Sequence, residues 1–255
     1  MIPIIGVPIL NRGDLLTRLV KSIEYPVNKF FIINNGNDEG VAAAIEEIKN
    51  GLNPLIQEVE VYKPEKNLGC AGSWNSIIAW HLTAPYWLIV GNDIQFAKPG
   101  ELEMMAKHVE ERLDTHSIIY ASEYSCFFLT QLGLEKIGTF DENFYPAYGE
   151  EADHFKRVKV SGTMKERFFD LGLIHGEPPF FQASTINSNE AYQKANAITS
   201  QMNKDYHIKK WGGPSACDPF QNPFNDPGIP IDHWELDVER RKQLEDIWSA
   251  AKQNA

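Results

Sequence analysis

Met1-Ile2-Pro3-Ile4-Ile5-Gly6-Val7-Pro8-Ile9-Leu10-Asn11-Arg12 opens the chain. From Ile2 to Leu10 nearly every position is apolar, so neither face of the segment is suited to water. A strand with one wet face alternates polar and apolar residues, whereas a strand apolar on both faces belongs to a parallel sheet covered by helices on both sides. Asn11, Arg12 and Asp14 stop the run before it could act as a secretion-signal core, and no cationic segment precedes it. The segment predicts a buried first strand of an α/β sandwich.

Reading outward, Arg12–Ile23 carries Leu15, Leu16, Leu19, Val20 and Ile23 at helical spacing, and Lys29–Ile33 is a second apolar run that ends in Asn34-Asn35-Gly36. The cycle returns with a helix over Val41–Lys49, a strand over Gln57–Tyr62, a helix over Ala71–Leu82 and a strand over Tyr86–Val90 that stops at Gly91-Asn92-Asp93. This alternation predicts a mostly parallel central sheet joined by right-handed crossovers. A helix over Pro99–Leu113, strand-type residues over Ser117–Leu129 and an aromatic and acidic stretch over Thr139–Lys159 follow. Beyond Gly176 the composition turns to Pro, Asn and Gly, with Pro178-Pro179, Trp211-Gly212-Gly213-Pro214 and Pro219–Pro230, which predicts a long irregular extension. Asp232–Lys252 returns to helix, with Leu244, Ile247, Trp248 and Ala251 along one stripe. The expected organisation is a core over residues 1–176 and an extension over 177–255 packed on it.

At 255 residues and 43% hydrophobic composition the chain is long enough to bury a large core, which excludes disorder as its main character. Its net charge of −11 opposes binding to nucleic acid, where affinity depends on neutralising phosphates. The three cysteines, Cys70, Cys126 and Cys217, form no CxxC pair and fit neither a disulfide scaffold nor a zinc ribbon, so a reducing compartment is expected. With no uninterrupted apolar window of about 18 residues and no Asn-X-Ser/Thr sequon, the expectation is a cytoplasmic protein without a transmembrane segment.

Ligands of open sheets lie beyond the carboxyl ends of the strands, where Asn11, Asn34, Asn35, Asn92 and Asp93 all fall. Such residues also end strands and begin turns on their own account. Their joint placement is what points to a nucleotide-diphosphate site. Asp93 puts a carboxylate at a strand tip, where a divalent cation can bridge it to phosphate oxygens. Glu150, Glu151, Asp153 and His154 crowd five positions, as do carboxylates that raise one another's pKa or hold a cation, and equally an acidic helix start. His175 is a candidate metal ligand or a structural histidine at a strand end. No Gly-x-Gly-x-x-Gly, P-loop or Gly-x-Ser-x-Gly motif is present, which removes support for hydride transfer, P-loop phosphoryl transfer and serine hydrolysis.

The ordered set of motifs resembles the family 2 glycosyltransferases of the GT-A fold over roughly residues 2–176. Ile5-Gly6-Val7-Pro8-Ile9-Leu10-Asn11-Arg12 is similar to that family's opening strand and turn, and Phe31-Ile32-Ile33-Asn34-Asn35-Gly36-Asn37-Asp38 to its nucleoside loop. Asn67-Leu68-Gly69-Cys70-Ala71-Gly72-Ser73-Trp74-Asn75 resembles the segment near base and ribose, and Gly91-Asn92-Asp93 stands where the family has Asp-x-Asp. Ile137-Gly138-Thr139-Phe140-Asp141-Glu142-Asn143-Phe144 and Tyr148-Gly149-Glu150-Glu151-Ala152-Asp153 resemble its Gly-Gly-Phe-Asp-Glu and Glu-Asp-x-Asp motifs.

The resemblance implies a GT-A sandwich with a nucleotide-binding half over about 1–98 and an acceptor half over about 99–176, followed by an irregular C-terminal extension ending in a helix. It implies inverting, metal-dependent transfer of a sugar from a nucleotide-sugar donor, a UDP-sugar by default, to a hydroxyl of a glycan or other acceptor. Glu151 takes the place of the general base, with Glu150 or Asp153 able to share it because a Glu stands where Asp is usual. Asp93 and His175 take the positions that hold Mn²⁺ or Mg²⁺, and Pro8, Asn11, Arg12, Asn34, Asn35, Asn67, Gly69, Asn75 and Asn92 those around the nucleotide. Tyr145, Tyr148 and Trp211 are candidates to stack on an acceptor sugar. The chain departs from the family's pattern at Gly91, Asn34 and Trp74, which replace a metal-motif Asp, a base-reading Asp and a frequently basic residue. Two other readings compete. A non-catalytic sugar-nucleotide or glycan-binding module derived from a transferase is motivated by Gly91. A sugar nucleotidyltransferase needs a Gly-rich triphosphate loop, for which Pro8–Asp14 supplies only Arg12 and Gly13.

Overall fold

Successive side chains of the apolar strands enter two different cores. Phe30 and Ile32 pack into one and Phe31 and Ile33 into the other, and Leu88 and Val90 are separated from Trp87 and Ile89 in the same way. The sheet therefore lies in the middle of a three-layer sandwich, as a strand apolar at every position requires. The structure, a computed structural model, describes residues 1–177 and 184–253. Pro178-Pro179 of the predicted extension lies outside the described residues.

The strands are β1 (Ile2–Ile9), β2 (Val27–Asn34), β3 (Ile56–Tyr62), β4 (Tyr86–Val90), β5 (Ile94–Phe96), β6 (His116–Ser122), β7 (Cys126–Thr130), β8 (Met164–Arg167) and β9 (Leu173–His175). The helices are α1 (Gly13–Ser22), α2 (Glu39–Lys49), α3 (Gly69–Trp80), α4 (Glu101–Glu110), α5 (Gln131–Ile137), α6 (Glu150–Ser161), α7 (Ser184–Asn187), α8 (Glu190–Trp211) and α9 (Val238–Gln253). The central sheet runs β3-β2-β1-β4-β7-β6-β8, and β5 pairs with β9 in a small second sheet. β1, β2, β3 and β4 are mutually parallel, β8 is parallel to β6, and β7 alone runs antiparallel to both its neighbours. The strand-type residues over Ser117–Leu129 form the β6–β7 hairpin, which turns at Glu123–Ser125. No helix among the described residues is long and apolar enough to cross a membrane.

The largest departure from expectation lies beyond Gly176. The region read as irregular contains α8, a helix of 22 residues. Its buried stripe is Ala195, Thr199, Asn203 and His207, joined by Lys210 and Trp211. The fourfold spacing is that of a helix face, but the face is small and polar, so no hydrophobic period reveals it.

That polar face is matched by buried acids from the core. Lys210 Nζ lies 2.8 Å from Asp141 Oδ2 and 2.7 Å from Asp153 Oδ1, and Asp153 Oδ2 is 2.9 Å from Arg157. Trp211 Nε1 donates to Asp153 Oδ1 at 2.8 Å, and Tyr206 Oη to Asp141 Oδ2 at 3.1 Å. Arg157 also donates to the carbonyls of Ile137 and Thr139. Burial alone would raise the Asp153 carboxyl, but Lys210 and Arg157 hold it well below the usual carboxylate range. Removing one partner of such a set leaves an uncompensated buried charge. Lys210→Met is expected to cost about 3–5 kcal/mol, read as a lowered midpoint in urea or thermal unfolding; an unchanged midpoint would show that the network does not hold α8 in place.

Candidate active site

The parallel register carries the ends of β1, β2 and β4 to one edge. Ile9 pairs with Asn34, and the Asn35 N–H donates to the Ile9 carbonyl at 2.7 Å. Because β7 runs antiparallel to β4, its turn reaches the same edge, where the Gly91 N–H donates to the Ser125 carbonyl at 2.7 Å. Over this edge opens a cavity of about 670 Å³, within the range of small-molecule sites. The end of β1, the Gly91–Asp93 segment after β4, the start of α3, the β6–β7 turn, the start of α6, His175, α7 and Trp248 of α9 line it.

α6 enters the cavity by a sharp turn. Tyr148 (φ 72°) and Gly149 (φ 105°) both occupy the left-handed region, and a Cβ on Gly149 would lie 2.5 Å from Phe144 Cδ1. A tyrosine in that region is held there by its surroundings. Asn203 of α8, fully buried, donates from Nδ2 to the carbonyls of Tyr145, Ala147 and Tyr148, at 2.8 Å to the last. From the other side the Cys70 N–H, at the start of α3, donates to the Pro146 carbonyl at 2.7 Å.

With its start fixed, α6 distributes its acids by helical phase. Glu151 and Phe155, one turn apart, face the cavity, and Glu150 lines it beside the Cys70 thiol. Glu151 Oε2 accepts the Gly149 N–H at 2.7 Å. Burial pushes the Glu151 carboxyl above its usual value, and burial together with the Glu151 charge pushes Glu150 well above its own. Asp153 points the other way, into the network with Lys210 and Arg157. The expectation that Asp153 shares the catalytic role is corrected on that ground, because it is fully buried with both oxygens engaged.

Asp93 and His175 meet across the β5–β9 pair, with His175 Nε2 at 3.5 Å from Asp93 Oδ1. Burial raises the Asp93 carboxyl, but the His175 ring and the Ser184 N–H outweigh it and hold Asp93 below the usual carboxylate range. No group of three or more His, Cys, Asp or Glu suited to a metal exists among the described residues. A carboxylate and an imidazole are nevertheless ligand types that Mn²⁺ accepts, and Asp93 and His175 are the residues here that would hold it. At Gly91, where an Asp would complete the family's motif, a Cβ would lie 3.0 Å from Asp93 Oδ1. The glycine leaves Asp93 its present orientation.

Of the predicted nucleotide residues, Pro8, Asn35, Asn67, Gly69 and Asn92 line the cavity. Asn11, Arg12, Asn34 and Asn75 do not. Asn11 donates to the Thr185 carbonyl and Ser188 Oγ, Arg12 pairs with Asp14 and Glu177, and Asn34 accepts the Gly36 N–H. Asn75 exchanges hydrogen bonds with the backbone of Phe140 and donates to Glu142. These four side chains brace loops and do not line the cavity. Trp211 is fully buried against Asp153, so it has no face for a sugar, whereas Tyr148 lies on the cavity and Tyr145 on a smaller one next to it. Sequence reasoning missed Cys70, Tyr124, Phe155 and the cavity role of Trp248. The spacing of Phe155 four residues after Glu151 was the one available signal for it.

The family model for glycosyl transferase family 2 matches residues 4–157. A galactofuranosyl glycosyltransferase of Leishmania donovani is 32% identical over 155 residues, covering 52% of this chain and 35% of that protein. The chain's match thus spans about a third of that relative. The structure resembles a mannosyltransferase from Pyrobaculum calidifontis solved with GDP-Man and Mn²⁺, at a TM-score of 0.60 and 13% identity, over 100% of this chain and 74% of that one. It also resembles S. aureus TarS 1-349 in complex with UDP, at a TM-score of 0.54 and 13% identity, over 82% of this chain and 71% of that one. The sheet and its helices have the GT-A glycosyltransferase fold. The chain belongs to glycosyl transferase family 2.

Asn203→Ala strips three carbonyls of their donor and is expected to destabilise the protein by about 1–3 kcal/mol. It should also admit protease between Tyr145 and Gly149; limited proteolysis that leaves this turn intact would show that other contacts hold it.

Proposed function

We propose that this protein is an inverting glycosyltransferase that moves a sugar from a nucleotide-sugar donor to an acceptor hydroxyl, with Glu151 as general base. The observation that carries the proposal is one cavity in which Glu151 stands on the α6 wall while Asp93 and His175 stand on the β5–β9 wall. Base and leaving-group machinery on different walls of a shared space is the arrangement a single displacement needs.

The charge of the cavity points the same way. Asp93, Glu123, Glu150 and Glu151 line it, and among the described lining residues there is no Lys or Arg. A nucleoside diphosphate cannot be held there by side-chain cations, so its charge calls for a bound ion. Asp93 Oδ1 and His175 Nε2 are the atoms that would hold Mn²⁺ or Mg²⁺, which when bound supplies positive charge beside the departing diphosphate. The Pyrobaculum mannosyltransferase, solved in complex with GDP-Man and Mn²⁺, supports this reading.

Glu151 in its charged form accepts the proton of the acceptor hydroxyl as that oxygen attacks the anomeric carbon. The Gly149 N–H at 2.7 Å aims the carboxylate, and its burial makes it a stronger base than an exposed glutamate. Burial and the neighbouring Glu151 charge push the Glu150 carboxyl well above its usual value. Tyr148 and Phe155 offer ring surface on the acceptor side. The Leishmania relative, a galactofuranosyl glycosyltransferase that this chain matches over about a third of its length, favours a galactofuranosyl donor.

Glu151→Gln is expected to keep nucleoside-diphosphate binding and to lower transfer by about 10²–10⁴-fold; turnover at the wild-type rate would remove Glu151 from the mechanism. His175→Ala should weaken Mn²⁺-dependent nucleotide binding measured by calorimetry, and binding that stays the same would place the ion elsewhere. Because the carboxyl must lose its proton to act, and burial raises it above the usual 4.5, activity should fall on the acid side at a pH above 4.5. A rate profile flat down to pH 4.5 would contradict the role of Glu151.

A further inference from the structure

A second cavity, of about 310 Å³, adjoins the first across Asn35, Asn67 and Trp248, which line both. Its remaining wall joins the loops after β2 and β3 to one side of α9. That helix is set firmly. Arg240 donates to the Asn143 carbonyl and Asn203 Oδ1, Arg241 donates to the carbonyls of Glu142 and Leu68, and the Trp248 ring lies at 11° on Tyr192 with centroids 5.0 Å apart.

The acids around this cavity differ in what they are free to do. Glu245 is paired with Arg241 at 2.9 Å and with Lys66 at 3.4 Å. Asp246, one residue further along α9, lines the cavity and its carboxylate has no hydrogen-bond or ion-pair partner among the described residues. Glu65 shares that freedom but projects from a turn between β3 and α3. A group that reads one edge of a flat ligand has to be held in place, and of the two only Asp246 stands on a braced helix.

We infer that Asp246 is a specificity-determining residue of the donor site, accepting the ring N–H of the donor's base when the nucleoside extends from the larger cavity into the smaller one. The inference rests on the proposed donor site. An ionised carboxylate is acceptor-only. Uracil, thymine and guanine present a ring N–H at their pairing edge, whereas cytosine and adenine present a ring nitrogen lone pair that the carboxylate repels. Residue 246 lies outside the segment matched by the family model, 4–157, so the base would be read by a part of the chain that the shared motifs do not contain.

The test is calorimetric titration of UDP, GDP, dTDP, CDP, ADP and pyrophosphate in Mn²⁺ with wild type, Asp246→Ala and Glu65→Ala. Asp246 is on an exposed helix face, so its truncation leaves the fold intact. Wild type should favour UDP, GDP or dTDP over CDP and ADP, and Asp246→Ala should lose about tenfold for the favoured nucleotides. Pyrophosphate binding should not change, and Glu65→Ala should behave as wild type. The inference fails if Asp246→Ala keeps the wild-type base preference, if Glu65→Ala causes the loss instead, or if wild type binds every nucleotide equally. Wild type that binds neither pyrophosphate nor any nucleotide would overturn the donor-site reading itself, and this inference with it.

Discussion

Asp153 lies fully buried between Arg157 on its own helix and Lys210 on α8, and the cavity wall contributed by α6 depends on that arrangement. A carboxylate withdrawn from water costs several kcal/mol unless opposite charges and hydrogen bonds surround it. Two cations and the Trp211 N–H do so here. The geometry leaves α6 one rotation about its axis. With Asp153 and Arg157 turned toward α8, Glu151 and Phe155 turn toward the open edge of the sheet. The same lysine holds Asp141, so the loop that leads into α6 is tied to the same point.

The part of the fold that could be read from residues alone is the part whose period is hydrophobic. β1, the Phe30–Ile33 run of β2 and β4 announce themselves because strands buried on both faces are apolar at nearly every position, and α1 keeps Leu15, Leu16, Leu19 and Val20 on one side. α8 was illegible because Asn203, His207 and Lys210 are buried for their hydrogen bonds and charge. The site divides along the same line. That Glu150, Glu151 and Asp153 belong to one acidic helix start was visible, but which faces the cavity depends on where the helix begins. That point is set by two left-handed residues, Tyr148 and Gly149. Asn75 and Trp211 looked like ligand contacts because amides and indoles serve buried structure and ligands with the same atoms.

A cavity lined by four acids and no described Lys or Arg is an unfriendly place for a diphosphate. Under the proposed function the balancing charge would have to come from a bound ion, and Asp93 and His175, 3.5 Å apart, are the residues that would hold it. Gly91 belongs to the same economy of space: a side chain there would press on Asp93 Oδ1.

The hydrogen bond from the Cys70 N–H to the Pro146 carbonyl joins the start of α3 to the turn that delivers α6. α3 begins beside Asn67 and Gly69, on the nucleotide side, and Pro146 is followed by Ala147, Tyr148 and the acids. Under the proposed function this hydrogen bond ties the wall that would meet the donor to the turn that carries the acids, so neither wall could move without straining the Cys70–Pro146 contact.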